Sequence, residues 1–229
     1  MPVHLLRFGD PGGDDPTKRR DFGKAMALAL VPLPARSEVD QTTAPTLTAI
    51  TGARIGPASH PTPQAWLDAI EALSLAAIGK AADADAALLR ARRVIAKGSG
   101  SAPVPWPWVF SFDQPKLAGY RALVAVRLNR PAEALAAFAD SLSAMQPALK
   151  QRAIIMPEVA TAARQDGIRQ KDNERIDESF RLASEALGTG IAYSSERVIE
   201  KARRFRRNYA GLSSSHVRNF DEQLRSTLL

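Results

Sequence analysis

Asn129-Arg130-Pro131-Ala132-Glu133-Ala134-Leu135-Ala136-Ala137-Phe138-Ala139-Asp140-Ser141-Leu142 is the stretch whose periodicity decides the fold class. Asn129-Arg130-Pro131 makes a turn. After it, Ala134, Leu135, Phe138, Leu142 and Met145 recur at helical spacing, and Pro147 closes the segment. Ahead of the turn, Leu117, Tyr120, Val124 and Leu128 form the apolar face of an earlier helix. Two short amphipathic helices joined by a brief turn form an antiparallel hairpin. A lone hairpin cannot bury both faces, so such units stack.

The same grammar extends in both directions. Downstream, Ile155, Val159 and Ala162 open a third helix, and Ile176, Phe180, Ala183 and Leu187 repeat at spacings of four, three and four. Gly188 and Gly190 follow as C-cap candidates. Ser194 or Ser195 can cap the next helix, whose buried stripe is Val198, Ala202, Phe205 and Tyr209. A last short helix begins near Ser214 with Val217, Phe220 and Leu224. Upstream, Trp66, Leu67, Ile70, Leu73 and Ile78 share a stripe from about Pro63. Asp83 to Ala96 offers its partner, with Leu88, Leu89 and Ile95 inward and Arg90, Arg92 and Arg93 outward. Gly98-Ser99-Gly100-Ser101 ends that helix. Pro103, Pro105 and Pro107 exclude a helix from the segment carrying Trp106, Trp108, Phe110 and Phe112, which reads as an extended connector. Residues 1–60 are turn and linker chemistry, with one short apolar helix from Ala25 to Val31 stopped by Pro32 and Pro34. The expectation is an all-α chain, with a flexible segment over 1–60 and a helical array over 61–229.

Composition agrees. Of 229 residues, 45% are hydrophobic and 24% charged, as in ordinary globular proteins, and aromatics are only 6%. There is no cysteine, which excludes disulfides, a thiolate nucleophile and a cysteine-based zinc site. No apolar run approaches the roughly 20 residues of a membrane span. The expectation is a soluble, cytoplasmic protein with no membrane partner. The formal charge is +7, and residues 191–229 hold eight Lys/Arg against four Asp/Glu, so the basic excess gathers in the tail. Such an excess permits an anionic partner.

Ala134, Phe138 and Leu142 stand where the second helix of a tetratricopeptide repeat places a small residue, an aromatic and a leucine. A second copy begins near Asp177-Glu178, 45 positions on when Ala134 is matched with Ser179, and Gly167 to Glu174 reads as an insertion lengthening the third helix or its loop. More narrowly, residues 106–229 resemble the C-terminal half of bacterial Xre-type helix-turn-helix regulators that carry a tetratricopeptide-like module. The resemblance rests on Trp108-Val109-Phe110-Ser111-Phe112-Asp113, Lys116-Leu117-Ala118-Gly119-Tyr120-Arg121, Arg130 to Leu135, Ser195-Glu196-Arg197-Val198 and Val217 to Arg225. Arg19-Arg20-Asp21-Phe22 resembles the segment that follows the DNA-binding domain there. The implied architecture is a tetratricopeptide-like stack of antiparallel hairpins, acting as the sensor half of a regulator. The expectation is a chain without the DNA-binding domain, so the family's reading of DNA transfers to no residue here.

Four residue groups carry candidate chemistry. Trp106, Trp108, Phe110 and Tyr120 could bind a partner, against a reading as core that anchors the connector. Arg203, Arg204, Arg206 and Arg207 could contact phosphates, since guanidinium forks suit them, against a reading as the solvated face of a terminal helix. Thr17 to Lys24, with Arg19-Arg20, mimics a twin-arginine export signal, but acidic residues precede it and the apolar run is short. Finally, His4, His60 and His216 lack metal or triad spacing, and Gly9 to Gly13 lacks the lysine and the strand–helix context of a phosphate loop. No acid, base and nucleophile converge, so neither catalytic activity nor a cofactor or metal is expected. The expected role is a non-enzymatic regulatory module that binds a protein or peptide, a second copy of itself, or a small ligand. Nucleic-acid binding through the basic helix stands as the alternative, and twin-arginine export as a further one.

Overall fold

The computed structural model describes residues 61–97, 112–144, 149–209 and 214–227, without the side chains of residues 150 and 151. All regular structure among them is helical. There are eight helices: α1 (Pro61–Ala77), α2 (Ala81–Ala96), α3 (Gln114–Arg127), α4 (Pro131–Ser143), α5 (Leu149–Gln170), α6 (Asn173–Ala192), α7 (Glu196–Arg207) and α8 (Ser215–Ser226). The short helix expected near residue 25 and the Trp106 to Phe110 connector lie outside the described residues.

Four of the joints are the same object. Gly79, Asn129, Lys171 and Ser194 take the left-handed conformation, with φ of 78°, 54°, 57° and 50°. The next amide in each case reaches back five residues: Lys80 N to Leu75 O (2.9 Å), Arg130 N to Ala125 O (2.8 Å), Asp172 N to Gly167 O (2.8 Å) and Ser195 N to Gly190 O (2.8 Å). This is the Schellman closure, which satisfies the last carbonyls of a helix. Its final residue serves at once as N-cap of the following helix, so each joint holds two helices antiparallel with no spare residue. Asp172 adds a side-chain cap by accepting from Arg175 N at 3.0 Å. At the remaining starts, Asp113 accepts from Lys116 N and Ser214 from Val217 N.

These joints correct two expectations. Gly188 and Gly190 are not caps, because α6 continues through both to Ala192 and stops at Ser194. Gly190 instead lets α7 approach: a Cβ there would lie 2.8 Å from Val198 Cγ1. Ser195 holds the N-cap position without a side-chain bond. The repeat register also shifts. Phe138 and Phe180 are each the eighth residue of their helices, α4 and α6, so Ala134 corresponds to Ile176 rather than to Ser179. The residues read as an insertion mainly extend α5, which reaches Gln170.

Consecutive helices pair, α1 with α2, α3 with α4 and α5 with α6, and α8 returns onto α6 and touches α7. The α1–α2 seam differs from the expected one. Its buried face on α2 is Ala84, Ala87 and Ala91, while Leu88 and Ile95 are half-buried and Leu89 is 45% exposed. Alanines at that spacing let two backbones approach where leucines would hold them apart. The C-terminal core is aromatic. Phe180 is fully buried and meets Phe205, Tyr209 and Phe220 at centroid distances of 5.1, 5.8 and 5.8 Å, two of the three pairs edge-on.

Candidate functional site

The odd-numbered helices share a side. α1 packs on α3, α3 on α5 and α5 on α7, whereas α2 and α4 do not pack on one another, nor do α4 and α6. The array therefore curves toward its odd-numbered helices over the first three pairs, and their exposed stripes line the inner side.

Two structures occupy that side. The first is an aromatic pair: Trp66 Nε1 on α1 donates to the Tyr120 hydroxyl on α3 at 3.0 Å, and Phe112 lies edge-on to the Tyr120 ring at 5.6 Å. Burial raises the Tyr120 pKa, so its proton stays on oxygen; among the described residues that O–H donates to no acceptor. Tyr120 is thus half core and half lining, which unites its two sequence-level readings. Trp106, Trp108 and Phe110 lie outside the described residues.

The second is a charge cluster centred on Glu158 of α5. Lys201 of α7 donates to Glu158 Oε1 at 2.9 Å and to Ile154 O at 3.2 Å, and both side chains are almost buried. Burial alone would push the Glu158 carboxyl up. The charges of Lys201, Arg127 and Arg204 and the Lys201 hydrogen bond outweigh it and hold the carboxyl at about 2. Arg197, one turn before Lys201, lies within electrostatic reach of the Tyr120 hydroxyl, linking the two structures.

Helix α7 sorts its cations by direction. Val198, Ala202 and Phe205 are buried. Arg197, Lys201 and Arg204 form one flank, toward Tyr120 and Glu158. The other flank is bound up internally. Arg203 pairs with Glu196 at 2.9 Å and Arg207 with Glu200 at 2.9 Å, while Arg206 forks onto Asp221 of α8 at 2.6 and 3.0 Å. Of the four arginines nominated for anion contact, Arg203, Arg206 and Arg207 are engaged with acids, and Arg204 alone shares the flank facing Glu158. The signal that separates them was present in the sequence. Once Val198, Ala202 and Phe205 fix the buried stripe, a step of 100° per residue puts residues 197, 201 and 204 on one side of it and 203 and 207 on the other. Glu158 and Arg127 carried no such signal, because their meeting depends on how α3, α5 and α7 stack.

Arg164 also joins α5 to α7, as a clamp rather than a site. Its guanidinium donates to Phe205 O at 2.7 Å, in the last turn of α7, and lies 4.3 Å from the centre of the Phe205 ring. Burial lowers its pKa to about 10, so it keeps its charge at neutral pH.

On the opposite side, a cleft of about 460 Å³ separates α2 from α4 above α3. Leu88, Leu89, Leu117 and Ala118 supply apolar lining, and Arg130 forks onto Asp85 at 2.9 and 3.0 Å to tie the two helices. His216 faces Asp177 at 3.9 Å, and among the described residues no three acidic or histidine side chains gather as metal ligands. No helix among them is long and apolar enough to cross a membrane. No family model, no curated protein and no solved structure matches the chain.

Proposed function

We propose that this chain is a non-enzymatic interaction module: a tetratricopeptide-like stack that binds a protein or peptide segment on its inner side, in the manner of the sensor half of a helix-turn-helix regulator. The observation that carries the reading is the continuity of that side. One run of contacts leads from Trp66 through Tyr120 to Arg197, and from Lys201 to Glu158 beside Arg127, drawing on all four odd-numbered helices. A face built from several repeats suits an extended ligand that crosses them in turn. The four identical joints and the matched positions of Phe138 and Phe180 support the repeat character.

Direct nucleic-acid binding draws less support, because Arg203, Arg206 and Arg207 spend their donors on Glu196, Asp221 and Glu200. A peptide-library selection against the full chain tests the module. Selected peptides should compete with one another and lose affinity when Tyr120→Ala removes the middle of the face. Binders indifferent to Tyr120→Ala but lost on Arg203→Ala/Arg207→Ala would defeat the proposal and favour the outer flank.

A further inference from the structure

We infer that the inner side is selective for acidic segments, taking carboxylates of a partner peptide between Tyr120, Arg197 and Arg127. The inference rests on the module reading and adds the chemistry of the ligand. Four cations, Arg127, Arg197, Lys201 and Arg204, face this region against one carboxylate, Glu158. Lys201 is consumed by Glu158. Arg127 and Arg197, by contrast, make no hydrogen bond or ion pair at contact distance among the described residues. They stand on different helices, α3 and α7, on either side of the Glu158–Lys201 pair.

The Tyr120 hydroxyl supplies the second observation. It accepts from Trp66 and has its own proton free among the described residues, and burial keeps that proton in place. A donor held beside a guanidinium is complementary to an acceptor carrying negative charge, and charge-assisted bonds of this kind are the strong ones. The aromatic body of Trp66 and Tyr120 gives the same segment an apolar surface to lie on, which carboxylates alternating with apolar side chains would use fully.

A peptide fits better than a nucleic acid. The cationic flank from Arg197 to Arg204 is about 10 Å long, roughly three residues of extended chain. Duplex binding draws instead on a wide array of phosphate contacts. Glu158 sits in the middle of the cluster and opposes a closely spaced phosphate row, whereas separated carboxylates can bracket it.

The test is a fluorescence-anisotropy titration of the full chain with a labelled peptide of alternating glutamate and leucine. Companion probes are the same peptide with glutamine or lysine in place of glutamate, and a labelled DNA duplex. The acidic peptide should bind at least about tenfold more tightly than its glutamine version, since each charged contact is worth that much or more. Its affinity should fall by a similar factor in Arg127→Ala/Arg197→Ala and by less in Tyr120→Phe, while Arg203→Ala/Arg207→Ala leaves it unchanged. Tyr120→Phe removes a single oxygen and keeps the test open if the double variant fails to fold. Equal binding of the glutamine peptide, lost in Tyr120→Ala, would overturn the acidic preference and leave the module standing. No binding of any peptide would overturn both. Tighter binding of the duplex, abolished by Arg203→Ala/Arg207→Ala, would replace both with nucleic-acid binding.

Discussion

Replacing Phe180 by alanine probes the C-terminal core most directly. The ring is fully buried and touches three other rings, Phe205, Tyr209 and Phe220, at 5.1 to 5.8 Å. Core Phe→Ala substitutions cost about 3–5 kcal/mol, more where the walls cannot collapse into the void. These walls are stiff. Phe205 and Phe220 pack on one another edge-on at 5.8 Å, and Arg164 is pinned between the Phe205 carbonyl and its ring. Three edge or tilted ring contacts, each worth about 0.5–1.5 kcal/mol beyond area, also vanish together. The expected loss is therefore at the top of the range, about 5 kcal/mol, a large part of the ~5–15 kcal/mol that holds an ordinary domain. Urea unfolding of the full chain, followed by helical circular dichroism, measures it against Leu89→Ala. Leu89 is exposed, so its loss should stay within about 0.5 kcal/mol. A Phe180→Ala loss below about 2 kcal/mol, or parity with Leu89→Ala, would refute the packing argument.

Three further outcomes follow from single contacts. Glu158 titrates near 2 when folded and near 4.5 when unfolded, so its contribution is complete above about pH 4.5 and disappears as pH falls toward 2. Glu158→Gln should flatten the acid limb of the stability profile by about 3 kcal/mol across that window, and an unchanged limb would mean that Lys201 does not hold the carboxylate as described. Lys171→Gly should raise the urea midpoint, by the equivalent of about 1 kcal/mol, since a side chain at φ 57° carries a left-handed penalty that glycine escapes; a fall would contradict the joint. Gly190→Ala should cost about 1–3 kcal/mol, because the new methyl would meet the Val198 side chain at 2.8 Å, and a neutral result would show that α6 and α7 can separate freely.

The helices were legible because their evidence is local. Phe138, Phe180 and Phe205 declare their stripes through the period alone, and all three are buried as read. Two things escaped. The helix ends did, because the left-handed residue of each joint is glycine only at Gly79. Asn129, Lys171 and Ser194 fill the same place without advertising it, so Gly188 and Gly190 drew the eye instead. The alanine seam of α2 escaped for a similar reason: Leu88 and Leu89 are the more hydrophobic residues, yet closeness of backbones, not side-chain size, decided which face turned inward. The candidate site divides along the same line. Tyr120 and the basic helix were visible one element at a time, whereas Glu158 between Lys201 and Arg127 is a meeting of three elements and leaves no trace in any one of them.

The shared joint has a consequence for how such a chain can change. Its two bonds run between backbone groups, so glycine, asparagine, lysine and serine all serve at its centre, and substitution there is cheap in fold if not in energy. Length is another matter. The closing residue of one helix is the opening residue of the next, and one added residue between Asn129 and Arg130 would break the bond to Ala125 and rotate α4 relative to α3. Growth and loss are confined to the far ends of helices, as the extension of α5 to Gln170 illustrates. The architecture is thus permissive toward spelling and strict toward counting, and two such chains can lose every shared residue while their corners still superimpose.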